Sequence, residues 1–495
     1  MRWVLKKAAD LQGSVEKGDS VWIAVILLLA LCAVAISWFP LRFIDALPSR
    51  DYNEGWNAYR QWMAFAGEPL YGVRSIFWTT NYPFLSFHIV GLLGGIQGNM
   101  VLAGREICGA SLVAVAVLAG GIVWDATGSR RGAIFAGLLL FTGLGAFHGS
   151  SRAMDDPEYL SAAFATGGLF AYLRTPRGLS WTALAAAAFC CSLFTKQDFI
   201  AFPLSVTADL VVARDWRAFT VFAAVGLAVT AGLLALSMHF DGRYFFAELL
   251  QPRAYDFGRL GNRTWHYLQH FCVPLAAGLW VLWREKGIGN DLLLWILLIF
   301  SNVAAIGFVG GDGVASNIFS PAVIVDLLAC VIGICWLERQ GRRGFSLALV
   351  GVTLSMAAMV PFQIRDDLAA ARQLPAATAS GRQAIALLEA ARGPAICEDL
   401  LLCYDSGKPM DYDPYYVKDQ MLIGHIGQSG IAALIAARHY AVIQFDGASD
   451  GPWPAEMALR LTGGVQRAVL AAYHPVLVTP YDVVFMPSRT DRLSR

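Results

Sequence analysis

Long apolar runs decide what this chain can fold into. They occupy residues 21–41, 106–124, 131–148, 158–173, 180–195, 199–213, 217–238, 267–283, 291–309, 314–337 and 345–361. A helix that crosses a bilayer needs about 20 such residues, with about 17 as the lower limit. Only 15% of the 495 residues are charged, against roughly a quarter in soluble domains. The expected fold is therefore an α-helical polytopic membrane protein with about 11 transmembrane helices. The runs at 180–195 and 199–213 are short, and read as tilted pieces or as one re-entrant hairpin. The net charge of +1 leaves no basic excess to recruit nucleic acid.

Charge balance sets the sidedness. The run at 21–41 is too long for a signal-peptide core and has no small-residue cleavage site after it, so it reads as a retained helix. A further apolar stretch, Tyr82–Ile96, would reverse every later loop if it crossed. If it does not cross and the N-terminus is cytoplasmic, the inside segments collect Arg2, Lys6, Lys7 and Lys17, then the pairs at 130–131, 174 and 177, 214 and 217, 284 and 286, and Arg339, Arg342 and Arg343. That is the positive-inside arrangement. Tyr82–Ile96 then lies on the outer face as an interfacial helix, opened by Asn81-Tyr82-Pro83.

On this reading residues 1–361 form the membrane domain of an inner-membrane protein and 42–105 its first outer loop. Residues 362–495 form a small extracytoplasmic α/β domain. Helices are expected at 382–392 and 426–438, strands at 440–445, 476–479 and 482–486, and turns at Asp446-Gly447 and Asp450-Gly451-Pro452. Most of the nine cysteines lie in apolar runs. Cys397 and Cys403 lie in the polar domain, six positions apart, and an extracytoplasmic location would let them form a disulfide.

Ionisable residues gather in the outer loops. Loop one opens Arg50-Asp51-Tyr52-Asn53-Glu54-Gly55-Trp56. Asp51 and Glu54 share a face if a helix starts there, followed by Tyr59, Trp62 and Phe65 on an amphipathic helix. The pair reads as a helix cap or as catalytic carboxylates. Loop two holds Asp155-Asp156-Pro157-Glu158; capping accounts for Asp156 but not for the cluster. Loop three holds Lys196, a snorkelling cation or a phosphate ligand. Loop four carries Arg243, Arg253, Arg259, Arg263 and His266, suited to a lipid phosphate or to anionic headgroups. Away from the first residues of the runs, Asp209 and Asp326 are the acids inside them, too few for an ion relay.

These parts match the needs of sugar transfer. A carboxylate takes the acceptor proton, and cations or a metal neutralise a leaving phosphate. No Gly-rich strand–helix phosphate motif is visible on the cytoplasmic side. The layout resembles the GT-C superfamily of membrane glycosyltransferases, which take sugars from polyprenyl phosphates. The resemblance rests on Asp51-Tyr52-Asn53-Glu54-Gly55-Trp56, on Asn81-Tyr82-Pro83-Phe84-Leu85-Ser86-Phe87, on Arg105 before the second span, and on Asp155-Asp156-Pro157, and covers about residues 20–260. It implies Asp51 as the catalytic base, with Glu54 the other candidate, since many relatives have adjacent acids here. It implies that Asp155, Asp156, Tyr82 and Arg105 hold substrate. Asp155 and Asp156 also become candidate ligands for a divalent cation such as Mg2+ or Mn2+. The implied partners are a polyprenyl-phosphate-sugar donor, membrane lipids, and an envelope glycan, lipid or protein acceptor.

A lipid-linked-sugar flippase is the rival expectation, and a non-catalytic assembly partner a weaker one. A flippase needs a polar path through the bilayer, which the runs lack. The topology is checked with phosphatase fusions: a reporter joined after residue 495 should be active, and one joined after Gly341 silent. The opposite pattern would reverse the sidedness.

Overall fold

The computed structural model describes residues 2–72, 77–174, 178–284, 291–342, 344–447 and 463–488. The turn expected at Asp450-Gly451-Pro452 and the cations Arg177, Lys286 and Arg343 lie outside those residues. The apolar runs are helical, though the run at 345–361 is divided between two helices and those at 199–213 and 314–337 open with a short 3-10 turn. The membrane domain comprises α1 (Arg2–Arg42), α2 (Asn53–Ala66), α3 (Leu85–Gln97), α4 (Met100–Thr127), α5 (Arg130–Phe147), α6 (Glu158–Leu173), α7 (Leu179–Thr195), α8 (Ala201–Val212), α9 (Trp216–Phe240), α10 (Phe245–Leu249), α11 (Phe257–Arg284), α12 (Asp291–Phe308), α13 (Ser320–Arg339), α14 (Gly344–Ala357) and α15 (Val360–Ala390). Among the described residues six helices are long and apolar enough to cross a membrane, and α3, α7 and α12 are shorter apolar helices.

α13 sits at the centre, buried along nearly its whole length. Its Asp326 has a structural explanation. It accepts hydrogen bonds from the Tyr267 hydroxyl on α11 and from Asn302 Nδ2 on α12, the latter at 3.1 Å. A buried carboxylate is tolerable only with such partners. Asp209 accepts from the Tyr172 hydroxyl at 2.6 Å. That bond joins the far ends of α6 and α8, and Lys196 lies at the turn between α7 and α8.

α3 is tied to loop-four and α4 residues at its two ends. His88 near its start pairs with Asp241 at 2.8 Å, and Gln97, its last residue, bonds Glu106 near the start of α4 at 2.8 Å. It packs on α2 through Gly91, where a Cβ would stand 2.5 Å from the Gln61 carbonyl. On α2, Tyr59 is buried while Trp62 and Phe65 are 43% and 51% exposed, the split expected of a helix lying on a lipid surface.

α15 passes through residue 361 without a break and runs to Ala390. The helix expected at 382–392 is its last part, and no loop separates membrane domain from C-terminal domain. The latter holds a four-stranded sheet of order β1-β2-β4-β3: β1 (Ala395–Cys397), β2 (Val442–Asp446), β3 (Tyr473–Val478) and β4 (Asp482–Pro487). β1 pairs parallel to β2, and the other pairings are antiparallel. Helices α16 (Leu400–Asp405), α17 (Pro414–Leu422) and α18 (Gln428–Ala436) flank it. Cys397 and Cys403 are disulfide-bonded, tying β1 to α16, with Cα atoms 5.9 Å apart.

The domain docks where α16 crosses α2. At Gly55 an added Cβ would stand 2.1 Å from the Leu401 amide nitrogen, so only glycine permits this approach. Gly55→Ala should destabilise the protein by about 1–3 kcal/mol. Gly226→Ala, on α9 where a Cβ meets nothing within 4 Å, should be neutral or slightly stabilising. Melting temperatures in detergent compare the two; equal values would show that the crossing is not tight.

Candidate active site

The acids and bases of the outer loops meet at one end of the bundle, in three layers. The deepest is an ion pair. Glu54 and Arg105 are both buried. Arg105 Nε and Nη2 donate to the two Glu54 oxygens at 2.8 and 2.6 Å. The same oxygens accept from the Asp155 and Arg50 backbone amides at 2.9 and 2.8 Å. The rest of the Arg105 guanidinium donates to the carbonyls of Ile44, Ala46 and Pro48. Burial alone would raise the Glu54 carboxyl, but Arg105 outweighs it and holds it below the usual range. With every acceptor position used, Glu54 has the geometry of a strut, and Arg105 has no donor left for a substrate.

The second layer is the turn that carries Asp155 and Asp156. Ala153 adopts a left-handed backbone, with φ 49°, a conformation that costs a non-glycine residue about 1–2 kcal/mol. Arg152 holds it there, donating to the carbonyls of Gly149 and Ile36 and pairing with Asp367 of α15 at 2.6 Å. Asp155 turns inward: its Oδ1 accepts from Gln61 at 2.6 Å and its carbonyl from Asn57 at 2.6 Å. Burial raises its carboxyl well above the usual range, Gln61 opposes this, and the Glu54 charge adds to it. Asp156 Oδ1 accepts from the Glu158 amide at 2.8 Å, so it does cap α6. It also faces Lys196, whose ammonium lies 2.8 Å from Glu158, 3.5 Å from Asp156 and 3.7 Å from Asp198. Lys196 sits 5.2 Å over the Tyr82 ring. Burial alone would lower that ammonium; Asp156 and Glu158 outweigh it, so Lys196 stays charged. Asp155 and Asp156 thus turn to different neighbours. Among the described residues no three acids, histidines or cysteines are grouped so as to hold a metal ion, and the three acids that do converge, Asp156, Glu158 and Asp198, surround the Lys196 ammonium.

The outermost layer is a pair of cavities with Asp51 between them. Ser49 and Arg50 line one, of about 540 Å³, between α1, α15 and the C-terminal sheet. Tyr52 and Asn53 line the other side. There a chamber of about 300 Å³ contains Lys196, Asp198 and Arg253. It shares Asn53, Tyr82, Gln251, Arg253 and Gly313 with a smaller chamber of about 70 Å³. Asp51 is solvent-exposed but stands where loop one, loop two and the C-terminal domain crowd together. That crowding raises its carboxyl, the Asn53 amide opposes it, and the charges of Asp156 and Glu54 raise it further.

The arginines of loop four separate by partner. Arg253 lines both chambers and makes no ion pair or hydrogen bond among the described residues. Arg259 pairs with Asp312, and its amide is bonded to Asp256. Arg263 stands beside Arg259, Arg243 contacts its neighbour Tyr244 at the surface, and His266 stacks on Phe147. None of these four lines the chambers. The chambers also contain residues that sequence reasoning passed over: Asp413, Tyr415, Tyr416, Asp419 and Gln420, around α17. The available signal was the Asp413-Pro414 helix start followed by two tyrosines.

Replacing Glu54 by Gln leaves Arg105 buried without its counter-charge. The expected loss is about 3–5 kcal/mol of stability, read as a fall in melting temperature. Because its folded-state pKa is depressed, Glu54 stabilises above its unfolded pKa, and the contribution is lost as pH falls through the folded value. The wild-type and Glu54→Gln melting curves should therefore converge in acid.

No family model matches the chain, and no curated protein matches it. Solved structures do. ArnT from Cupriavidus metallidurans in the apo state is similar at TM-score 0.60 and 12% identity, covering 94% of this chain and 98% of that one. The same protein bound to undecaprenyl phosphate gives 0.61 and 13% over the same shares. The Archaeoglobus fulgidus oligosaccharyltransferase tethered to an acceptor peptide gives 0.57 and 11%, over 95% and 74%; its complex with zinc and sulfate gives 0.58 and 12%, over 94% and 73%. At such identities the likeness is one of fold: this chain shares the fold of these two proteins, a helical membrane domain followed by a small C-terminal domain.

Proposed function

We propose that this protein is a membrane glycosyltransferase that moves a sugar from a polyprenyl-phosphate carrier to an envelope acceptor on the outer face of the cytoplasmic membrane. The observation that carries this reading is that the residues on either side of Asp51 line two cavities of different character, Ser49 and Arg50 the one, Tyr52 and Asn53 the other. The chambers with Arg253 suit the donor: an unpaired guanidinium is the natural partner of a lipid phosphate. Lys196, already surrounded by three carboxylates, supports the phosphate less directly, by fixing Tyr82 and the loop-three turn. The cavity of about 540 Å³ suits the acceptor. Its walls include Asp366, Asp399, Asp446 and Asp482, which favour a hydroxyl- or amine-bearing group over an acidic one.

In the proposed reaction Asp51 takes the proton of an acceptor hydroxyl as its oxygen attacks the anomeric carbon. The bond from that carbon to the phosphate breaks on the opposite face, the configuration inverts, and the polyprenyl phosphate leaves against Arg253. Glu54 and Arg105 hold the first loop in register with Asp155. No step is routed through a metal, since Asp155 and Asp156 point to separate partners.

Asp51→Asn should lower transfer by about a hundredfold or more in lipid nanodiscs while polyprenyl phosphate still binds. Arg253→Ala should mainly raise KM for the donor. Full activity in Asp51→Asn would sink the assignment. A base works deprotonated, and the Asp51 pKa is raised, so the acid limb of the pH–rate profile should lie above the value of about 4 typical of free aspartate. A limb at or below that value would place the base elsewhere.

A further inference from the structure

We infer that the C-terminal domain, through α17, selects the sugar that the lipid donor carries, and that this sugar is a non-acidic monosaccharide. The inference rests on the glycosyltransferase reading and extends it to donor specificity. The small chamber adjoins the larger one along Asn53, Tyr82, Gln251, Arg253 and Gly313. Its wall comes in near-equal parts from loop one, from the α17 region and from segments 251–253 and 312–313. Tyr52 of loop one and Tyr415 of α17 lie ring to ring at 3.8 Å, with their planes 16° apart. Tyr416 and Gln420 complete the α17 side, while Trp56 and Tyr82 meet edge to face at 5.3 Å across from it. Tyr52 and Tyr415 close each other's facing sides, so a pyranose would pack its apolar C–H face on the rim of this aromatic cluster while its hydroxyls find the amide and hydroxyl partners around it.

A second observation points independently to a ligand. Thr79 lines this chamber and is 2% exposed, and its buried hydroxyl has no hydrogen-bond partner among the described residues. A buried hydroxyl left unpaired costs free energy, and a sugar hydroxyl in the chamber would satisfy it. The charge of the wall sets the class of sugar. Asp413 and Asp419 face in from the C-terminal side and Asp312 from the α12–α13 loop. Arg253 faces them, and the phosphate claims it. A carboxylate on the sugar would meet like charge.

α17 is fixed to the donor loop rather than resting on it. Asp419 Oδ1 accepts from the Ala254 amide at 2.9 Å, and Gln420 Nε2 donates to the Pro252 carbonyl at 3.2 Å, so both neighbours of Arg253 are held. The Asp413 amide donates to the Phe77 carbonyl at 2.9 Å. The spacing between sugar wall and phosphate cation is thereby set by the C-terminal domain.

The test is competitive native mass spectrometry of the full-length protein in nanodiscs. The probes are a polyprenyl phosphate, bare or carrying a neutral hexose, an amino sugar or a uronic acid. Wild type should prefer the neutral or amino sugar over the bare lipid, and the bare lipid over the uronic acid. Tyr416→Phe and Thr79→Ala should each cut the sugar preference by about fivefold and leave binding of the bare lipid unchanged. Tyr415→Leu should do the same, and Tyr416→Phe, which removes one oxygen atom, decides if the larger change prevents folding. A full sugar preference retained in these variants, or a wild-type preference for the uronic acid, overturns the inference. Failure of wild type to bind any of the four lipids would instead overturn the glycosyltransferase reading beneath it.

Discussion

The Glu54–Arg105 pair is the interaction on which the site's geometry rests. Two charged groups taken out of water gain little net stability from each other. What this pair supplies is position. One carboxylate gathers the amides of Arg50 and Asp155, residues 105 positions apart, and one guanidinium gathers three carbonyls from the end of α1. Asp51 follows Arg50 directly, and Asp156 follows Asp155. The residue offered to solvent and the residue that caps α6 are therefore both one peptide from the same buried carboxylate.

Charge is then distributed by a consistent rule. Cations that hold the scaffold are paired and buried: Arg105 with Glu54, Arg152 with Asp367, Lys196 with its three carboxylates. Arg259 is paired to Asp312 across the two loops that frame the chambers. Arg253 alone among the loop-four arginines lines the chambers, and it is unpaired among the described residues. A site that must bind and release an anion needs a cation not already satisfied, and the protein keeps one there.

Much of this was legible in the sequence. The apolar runs gave the helices because lipid imposes a length on them, and charge asymmetry kept Tyr82–Ile96 out of the span count. The acids of loops one and two stood out because carboxylates at a membrane boundary are costly. Partner choice was not legible. Asp51 and Glu54 look alike three positions apart, yet one is exposed and the other buried, because Arg105 reaches only the second. Arg253 and Arg259 look alike too, and differ because Asp312, 53 positions beyond Arg259, pairs with that arginine and leaves Arg253 without an ion pair among the described residues. The α17 wall was invisible for the same reason: nothing local in Tyr415-Tyr416 says that the chain will return over 300 residues to stack on Tyr52. The unbroken α15 was missed because polar residues after 361 read as a domain boundary, whereas a helix can leave lipid and continue in water.

That return of the chain has a consequence in time. Loop one, with Asp51, is made early in synthesis, while the residues that close the chambers, 413–420, belong to its last fifth. Until they have docked at Gly55, the space beside loop one stays open and Arg253 has no held neighbours. A nascent or truncated chain would carry the chemical groups without the enclosure, so on the proposed function the site is complete only when the polypeptide is.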